Sequence, residues 1–110
     1  SRDLFAARIY RLLAEIFIQA GDRDQAALFV RQIPGLEGEP ETSWARSWLY
    51  QYHTRKINEA VEKGDHPEEL SQRSARNGLF PTPRDTVSLV RLYRSLGRFK
   101  EAALLERFGQ

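Results

Sequence analysis

Two segments of this chain, 10–33 and 86–109, can be aligned so that a glycine falls at the same place in both. The glycines are Gly21 and Gly97, 76 residues apart, which is twice 38. In each segment an apolar pattern of helical spacing leads up to the glycine, and a second helical pattern follows it. Glycine adopts the left-handed conformation that ends a helix at little cost, so each glycine predicts a turn. An internal repeat of this size predicts stacked helical hairpins.

The three-and-four spacing of apolar residues predicts six helices. A loop over 34–42, which holds two prolines and two glycines, precedes the third helix, and Thr42 or Ser43 is expected to cap that helix. Asn77-Gly78 is expected to end the fourth. No segment shows the sustained alternation of a strand, so the predicted class is all-α. The predicted helices cover about 3–20, 23–33, 43–63, 67–76, 84–96 and 99–108.

The same spacing predicts which side chains are buried. The first helix has so broad an apolar surface that we expect it to be covered on two sides, as an inner helix of a stacked array is. In the last two helices we expect inward-facing positions at Val87, Leu89, Val90, Leu92, Tyr93, Leu96, Ala102, Ala103 and Leu105.

The strings LLAEIFIQAGDRDQAALFV and LVRLYRSLGRFKEAALL resemble tetratricopeptide (TPR) repeats. The pattern of large, small, aromatic, glycine and alanine positions is matched in the first by Tyr10, Leu13, Ala14, Phe17, Gly21, Asp22 and Ala26. The second offers Leu89, Val90, Tyr93, Gly97, Phe99 and Ala102, although Thr86 and Val90 depart from the pattern's large and small residues. Between them lies a degenerate unit hinged on Gly64-Asp65, with Glu69 where alanine is expected.

The resemblance implies an all-α, TPR-like α-solenoid of about three antiparallel helix pairs in a right-handed superhelix. We expect one domain over 1–110, with a first repeat at about 4–34, the degenerate middle repeat at about 43–77 and a third at about 83–108. The implied function is a protein-protein interaction scaffold that docks a partner protein, without enzymatic activity. An RNA-binding helical-repeat module and a cytoplasmic TPR adaptor are the alternatives.

The low repeat fidelity and the Arg, Ala and Leu content also resemble the TPR regions of bacterial exopolysaccharide exporters, in particular the outer-membrane exporter of the Pel system. That resemblance implies a periplasmic location, as part of an outer-membrane protein involved in biofilm formation. It implies as partners a periplasmic polysaccharide-modifying deacetylase or hydrolase, or the polysaccharide itself. The chain enters a helical pattern directly after Ser1, which we interpret as the interior of a longer protein.

TPR arrays bind through the concave surface that the first helix of each pair lines. Arginines are frequent at the matching positions, and guanidinium groups pair with carboxylates in bidentate fashion, so the expected partner carries acidic residues. The alternative is that these arginines form a solvated face. The predicted groove residues are Arg8, Arg11, Glu15, Gln19, Arg84, Arg91 and Arg94.

Two other surfaces are candidates for binding. Trp44, near the start of the third predicted helix, is a candidate anchor for a carbohydrate or a partner, with burial in the core as the alternative. The last helix, 99–108, carries apolar residues on its outer side, and we expect self-association through it if they are exposed.

The sequence does not predict a catalytic centre, a cofactor or a metal site. The chain has no cysteine, and its two histidines, His53 and His66, lie on different elements without metal-ligand spacing. With 17 basic and 15 acidic residues, the net charge of +2 gives no strong field for nucleic acid, which we do not expect as a partner. No run of 18 apolar residues predicts a membrane span.

Overall fold

The computed structural model describes residues 2–36 and 39–108. Within them the chain forms six helices and no strand, which confirms the all-α prediction. The chain divides into two compact units, residues 1–52 and 53–110, and the boundary falls inside the third helix. The helices are α1 (Arg2–Gln19), α2 (Arg23–Val30), α3 (Glu39–Lys63), α4 (His66–Leu79), α5 (Pro83–Ser95) and α6 (Phe99–Phe108).

Three turns, those after α1, α3 and α5, share one backbone conformation. Each is centred on a glycine with positive φ, at 80° in Gly21, 66° in Gly64 and 74° in Gly97. In each turn the glycine amide donates to the carbonyl three residues earlier, at 3.0–3.1 Å, and the next amide donates to the carbonyl five residues earlier, at 2.8–2.9 Å. This pair of bonds satisfies carbonyls that the end of a helix leaves without partners. The glycine turns predicted from the sequence are therefore present, including the one at Gly64.

The first unit packs α1 against α2 through small residues. Ala7 and Ala14 of α1 and Ala26 and Ala27 of α2 are fully buried, so the two backbones can approach closely. Phe17 and Phe29 stack beside them, with ring centroids 5.6 Å apart, and Val30 and Ile33 complete the buried set.

The N-terminal half of α3 belongs to the same unit. The Tyr52 hydroxyl donates to Asp24 Oδ1 of α2 at 2.6 Å, and the Tyr52 ring stacks on Trp48 with centroids 5.4 Å apart. Ala45 and Leu49 are buried on this half of the helix. The hydrogen bond to Asp24 thus joins this half of α3 to α2.

In the second unit α4, α5 and α6 surround a small apolar core. Leu70 of α4 and Leu89 and Leu92 of α5 are buried together. Half-buried side chains from α5, from the residue that caps its C-terminus and from α6 pack against them, namely Tyr93, Leu96 and Leu105.

Several predicted helix ends were wrong. The third helix begins at Glu39 rather than at a cap on Thr42 or Ser43, because Pro40 fits the first turn of a helix, where its missing N–H costs nothing. The Thr42 hydroxyl instead donates to the carbonyl of Leu36 at 3.3 Å. Of the predicted loop, positions 37 and 38 lie outside the described residues.

The second helix ends at Val30 rather than at 33, because the amides of Gln32 and Ile33 donate to carbonyls only three residues back. The fourth helix continues through Asn77-Gly78 to Leu79, so the predicted break there was also wrong. The Asn77 side chain does mark the connection, since its Oδ1 accepts from the Thr82 amide at 3.2 Å.

Two burial predictions on the last hairpin were wrong. Val87 is 50% exposed, because the face of α5 that meets the core carries Leu89 and Leu92. Ala103 is exposed as well, whereas Ala102 is buried. In α1 one apolar face is open instead of covered, with Leu12 58% and Ile16 61% exposed. None of the helices in the described part of the chain is both long and apolar enough to cross a membrane.

Candidate protein-docking surface

Four of the exposed side chains of α5 form a continuous stripe along the helix. Arg84, Val87, Arg91 and Arg94 follow one another at spacings of three, four and three, which places them on one face. All four are exposed, and Thr86 and Val90 beside them are buried. We call these four residues the α5 stripe.

A groove of about 640 Å³ runs beside the α5 stripe toward α6. Thr86 and Val90, each 7% exposed, lie at its base, and Val87 contributes half-exposed apolar surface. The remaining lining comes from Pro83, Arg91, Arg94 and Glu106. The groove therefore combines an apolar base with charged walls.

The arginines in and beside the groove differ in whether they form a salt bridge within the chain. Arg94 forms an ion pair with Glu106 of α6, which balances its charge inside the chain. For Arg84 and Arg91 the described residues provide no salt bridge. Each of these two guanidinium groups can therefore bind a carboxylate of another molecule in bidentate geometry.

In the first unit the predicted groove residues are arranged differently. Arg8 and Gln19 are exposed, but Arg11 is half-buried and has two partners within the chain. Its Nε lies 3.1 Å from Glu15 Oε1, and its guanidinium lies 4.6 Å from the centroid of the Trp44 ring. The charge of Arg11 is thus partly balanced and its position fixed by the aromatic ring.

Trp44 itself is neither fully buried nor free. Its side chain is half-buried, and Arg11 covers one face of the ring. A sugar ring stacking on Trp44 would need the opposite face or would have to displace Arg11.

The structure therefore groups only part of the predicted set. It brings Arg91 and Arg94 together in one groove and places Arg84 on the same stripe, outside the groove lining. Sequence reasoning did not identify Glu106 as part of the wall. Its spacing on α6 gave no signal, because the contact depends on how α6 packs against α5.

Two buried polar residues of the second unit, His53 and Asp85, make hydrogen bonds to other helices. His53 Nδ1 of α3 lies 2.7 Å from Gln72 Oε1 of α4. Arg76 of α4 donates to Thr54 of α3 at 3.1 Å and to Asp85 of α5 at 2.8 Å. These contacts account for the buried histidine and aspartate as structural residues. Among the described residues, no three His, Asp or Glu side chains lie close enough together to hold a metal ion.

No family model, curated protein or solved structure significantly matches this chain.

Proposed function

We propose that this chain is a TPR-like helical-repeat module whose function is to dock a partner protein, and that it is not an enzyme. Two features support the proposal. The turns at Gly21, Gly64 and Gly97 repeat the same pair of backbone hydrogen bonds, as expected if one hairpin unit recurs. Buried alanines at the start of the second helix, Ala26 and Ala102, stand where a TPR needs a small residue. The solenoid with a right-handed superhelix is part of this proposal.

The observation that carries the docking function is the groove beside the α5 stripe. Val87 and Val90 supply apolar surface that is favourable to cover. Arg91 lines the groove and Arg84 lies beside it on the α5 stripe, and neither has a salt bridge within the described residues. Arginine is also enriched where binding energy concentrates in protein interfaces. The partner that fits is an acidic segment with one small apolar side chain that reaches Val87 and Val90.

The test is a charge-reversal variant, Arg84→Glu with Arg91→Glu, measured against a fluorescent acidic peptide that carries alternating carboxylates and a central valine. We expect the variant to bind at least tenfold more weakly, because two charge-assisted contacts become repulsive. The matched control is Arg55→Glu with Lys63→Glu, which changes the net charge equally on exposed positions of α3. Circular dichroism should show unchanged helix content in both variants.

Equal affinity of the two charge-reversed variants for the peptide would contradict the docking site. In that case the binding reports net charge rather than the groove. Chemical-shift changes in an ¹⁵N spectrum provide a second criterion, since we expect them at Val87, Val90 and Arg91 and not on α3.

The narrower resemblance supports a role in assembling an exopolysaccharide secretion complex, of the Pel type, at the outer membrane, with the chain in the periplasm. The partner is then a polysaccharide-modifying deacetylase or hydrolase, or the polysaccharide. This part of the proposal rests on sequence character alone. Addition of the polysaccharide should change tryptophan fluorescence, and Trp44→Phe should remove that change if Trp44 is the contact. An unchanged spectrum of the unsubstituted chain would argue against direct polysaccharide binding at Trp44.

A further inference from the structure

The open face of α1 carries four large apolar side chains at regular spacing. Phe5, Ile9, Leu12 and Ile16 follow one another at intervals of four, three and four residues, and they are 69%, 41%, 58% and 61% exposed. Intervals that alternate between three and four define the seam of a two-helix coiled coil. We call these four residues the α1 seam.

The spacing indicates what kind of surface covers the seam. A helix presents apolar side chains at the same intervals, and its knobs fit the holes between those of α1. The exposed apolar residues of α6, the surface expected from the sequence to self-associate, have a different pattern. Phe99, Leu104 and Phe108 are spaced by five and four, which gives only one pair on the same face. The α1 seam is the longer and more regular of the two surfaces.

The charged residues beside the α1 seam indicate which helix covers it. Arg8 and Glu15, one heptad apart, flank the seam on the same side. In an antiparallel pair of α1 helices about a twofold axis, Phe5 faces Ile16 and Ile9 faces Leu12. This register brings Arg8 of each copy close to Glu15 of the other, so the contact forms twice.

A parallel pair lacks this complementarity. There Arg8 and Glu15 would face the opposite edge of the seam, which carries Ala6, Leu13 and Ala20 and no charge. The groups in the antiparallel register are also accessible. Arg8 is exposed and has no salt bridge within the described residues, and the contact of Glu15 with Arg11 uses one of its two carboxylate oxygens.

We propose that α1 is a homodimerisation surface, on which two copies of this chain associate as an antiparallel two-helix coiled coil held by the α1 seam and two Arg8–Glu15 ion pairs. The seam spans only two heptads. The surface that two such seams bury is therefore smaller than the ~1,200 Å² of total buried surface that typical stable complexes reach. The dimer is therefore reversible, with a dissociation constant of about 10–1,000 µM. This surface does not use the α5 stripe and stands independently of the docking function.

Sedimentation equilibrium of the full chain between ~10 µM and ~1 mM tests the proposal. We expect the average mass to rise from 12.7 kDa toward twice that value and no further. Leu12→Glu should abolish the rise, because it buries a charge in the seam. The matched control, Leu104→Glu on α6, changes an equally exposed leucine (57%) and should leave dimerisation unchanged.

Each alternative gives a different result. Loss of association in Leu104→Glu but not in Leu12→Glu would overturn the proposal in favour of α6. Masses beyond a dimer would indicate head-to-tail association between different surfaces, and a monomer at ~1 mM would exclude the dimer. Circular dichroism confirms that both variants retain their helix content.

The orientation has its own test. Arg8→Glu alone should weaken association at least threefold, and the exchange of Arg8→Glu with Glu15→Arg should restore it, because the cross-pairing is re-formed with the signs reversed. Since the chain has no cysteine, Ile9→Cys and Leu12→Cys give single thiols. Mixed together under oxidation, these two variants should form a disulfide-linked heterodimer in preference to either disulfide-linked homodimer. Preferred homodimers, or no rescue by the exchange, would overturn the antiparallel arrangement.

Discussion

The glycines at the three hairpin turns have a conformation that other residues adopt with difficulty. Gly21 and Gly97 have φ of 80° and 74°. A β-branched side chain resists such values, so Gly21→Val and Gly97→Val should each lower the free energy of unfolding by about 1–3 kcal/mol. Urea titration followed by circular dichroism measures this change. An unchanged unfolding midpoint in both variants would contradict the role assigned to these turns.

Gly78 provides a control of opposite sign. It lies inside α4 with ordinary backbone angles, and an added Cβ meets no atom within 4 Å. Alanine is a better helix former than glycine, so Gly78→Ala should stabilise the chain by roughly 0.5–1 kcal/mol. A loss of stability in this variant would indicate that the helix does not continue through Asn77-Gly78.

These glycines show what sequence can predict at the level of single residues. The positive φ at the turns was predictable, since the spacing of helical patterns around Gly21 and Gly97 requires a chain reversal. The helical state of Gly78 was not, because Asn-Gly is typical of a turn and only the packing of α4 decides otherwise. The contact of Arg11 with Trp44 was equally hidden, since Trp44 lies on a different helix. Its pair with Glu15, four residues along the same helix, follows from spacing alone.

Among the helices, α4 and α5 are joined by a buried ion pair as well as by the apolar core around Leu70. Arg76 and Asp85 lie 2.8 Å apart, and each side chain is only 11% exposed. Asp85→Asn removes the charge that balances the buried guanidinium, so we expect a loss of about 2–4 kcal/mol in the free energy of unfolding. The control is Glu106→Gln, which breaks the exposed pair with Arg94 and should cost under ~1 kcal/mol.

A double-mutant cycle separates this pair from general packing. The double variant Arg76→Met, Asp85→Leu replaces both charges by apolar groups. Its loss of unfolding free energy should be at least ~1 kcal/mol smaller than the sum of the losses in Arg76→Met and Asp85→Leu measured singly. Strictly additive costs in urea unfolding would show that the two groups do not stabilise one another.

The elements themselves were largely predictable, whereas their ends and faces were less so. Apolar spacing predicted all six helices in the described residues. The start of α3 was missed because the glutamates and prolines before Thr42 are typical of a loop, although proline is also suited to a first helical turn. The exposure of Val87 was missed because α5 is apolar on more than one face, and only its packing on Leu70 selects which face is buried. The Arg76–Asp85 pair gave no sequence signal at all.

In the candidate site, too, spacing predicts which residues share a helix face, whereas packing between helices decides the rest. Spacing placed Arg84, Arg91 and Arg94 on one face of α5, as the structure has them. The groove beside them required knowledge of where α6 lies, because Glu106 and the buried base at Thr86 form it only in the folded hairpin.

At the scale of the whole molecule, the balance of charges bears on the choice between the proposed protein partner and RNA. The chain carries 17 basic and 15 acidic residues, for a net charge of +2. Several arginines are already neutralised by carboxylates within the chain, among them Arg11, Arg73, Arg76, Arg94 and Arg98. The remaining positive field is weak, so a phosphate backbone gains little from counterion release.

Binding to a labelled uridine homopolymer at about 50 and about 200 mM salt tests this argument. We expect weak binding at the lower salt concentration and none at the higher, because only electrostatic contacts are available to the polymer. Binding of the acidic, valine-containing peptide should fall less over the same range, since part of its affinity comes from covering Val87 and Val90. If the homopolymer instead binds at the higher salt concentration and loses affinity in the Arg84→Glu, Arg91→Glu variant, the α5 stripe is a nucleic-acid surface. The protein-docking proposal would then give way to the RNA-binding alternative.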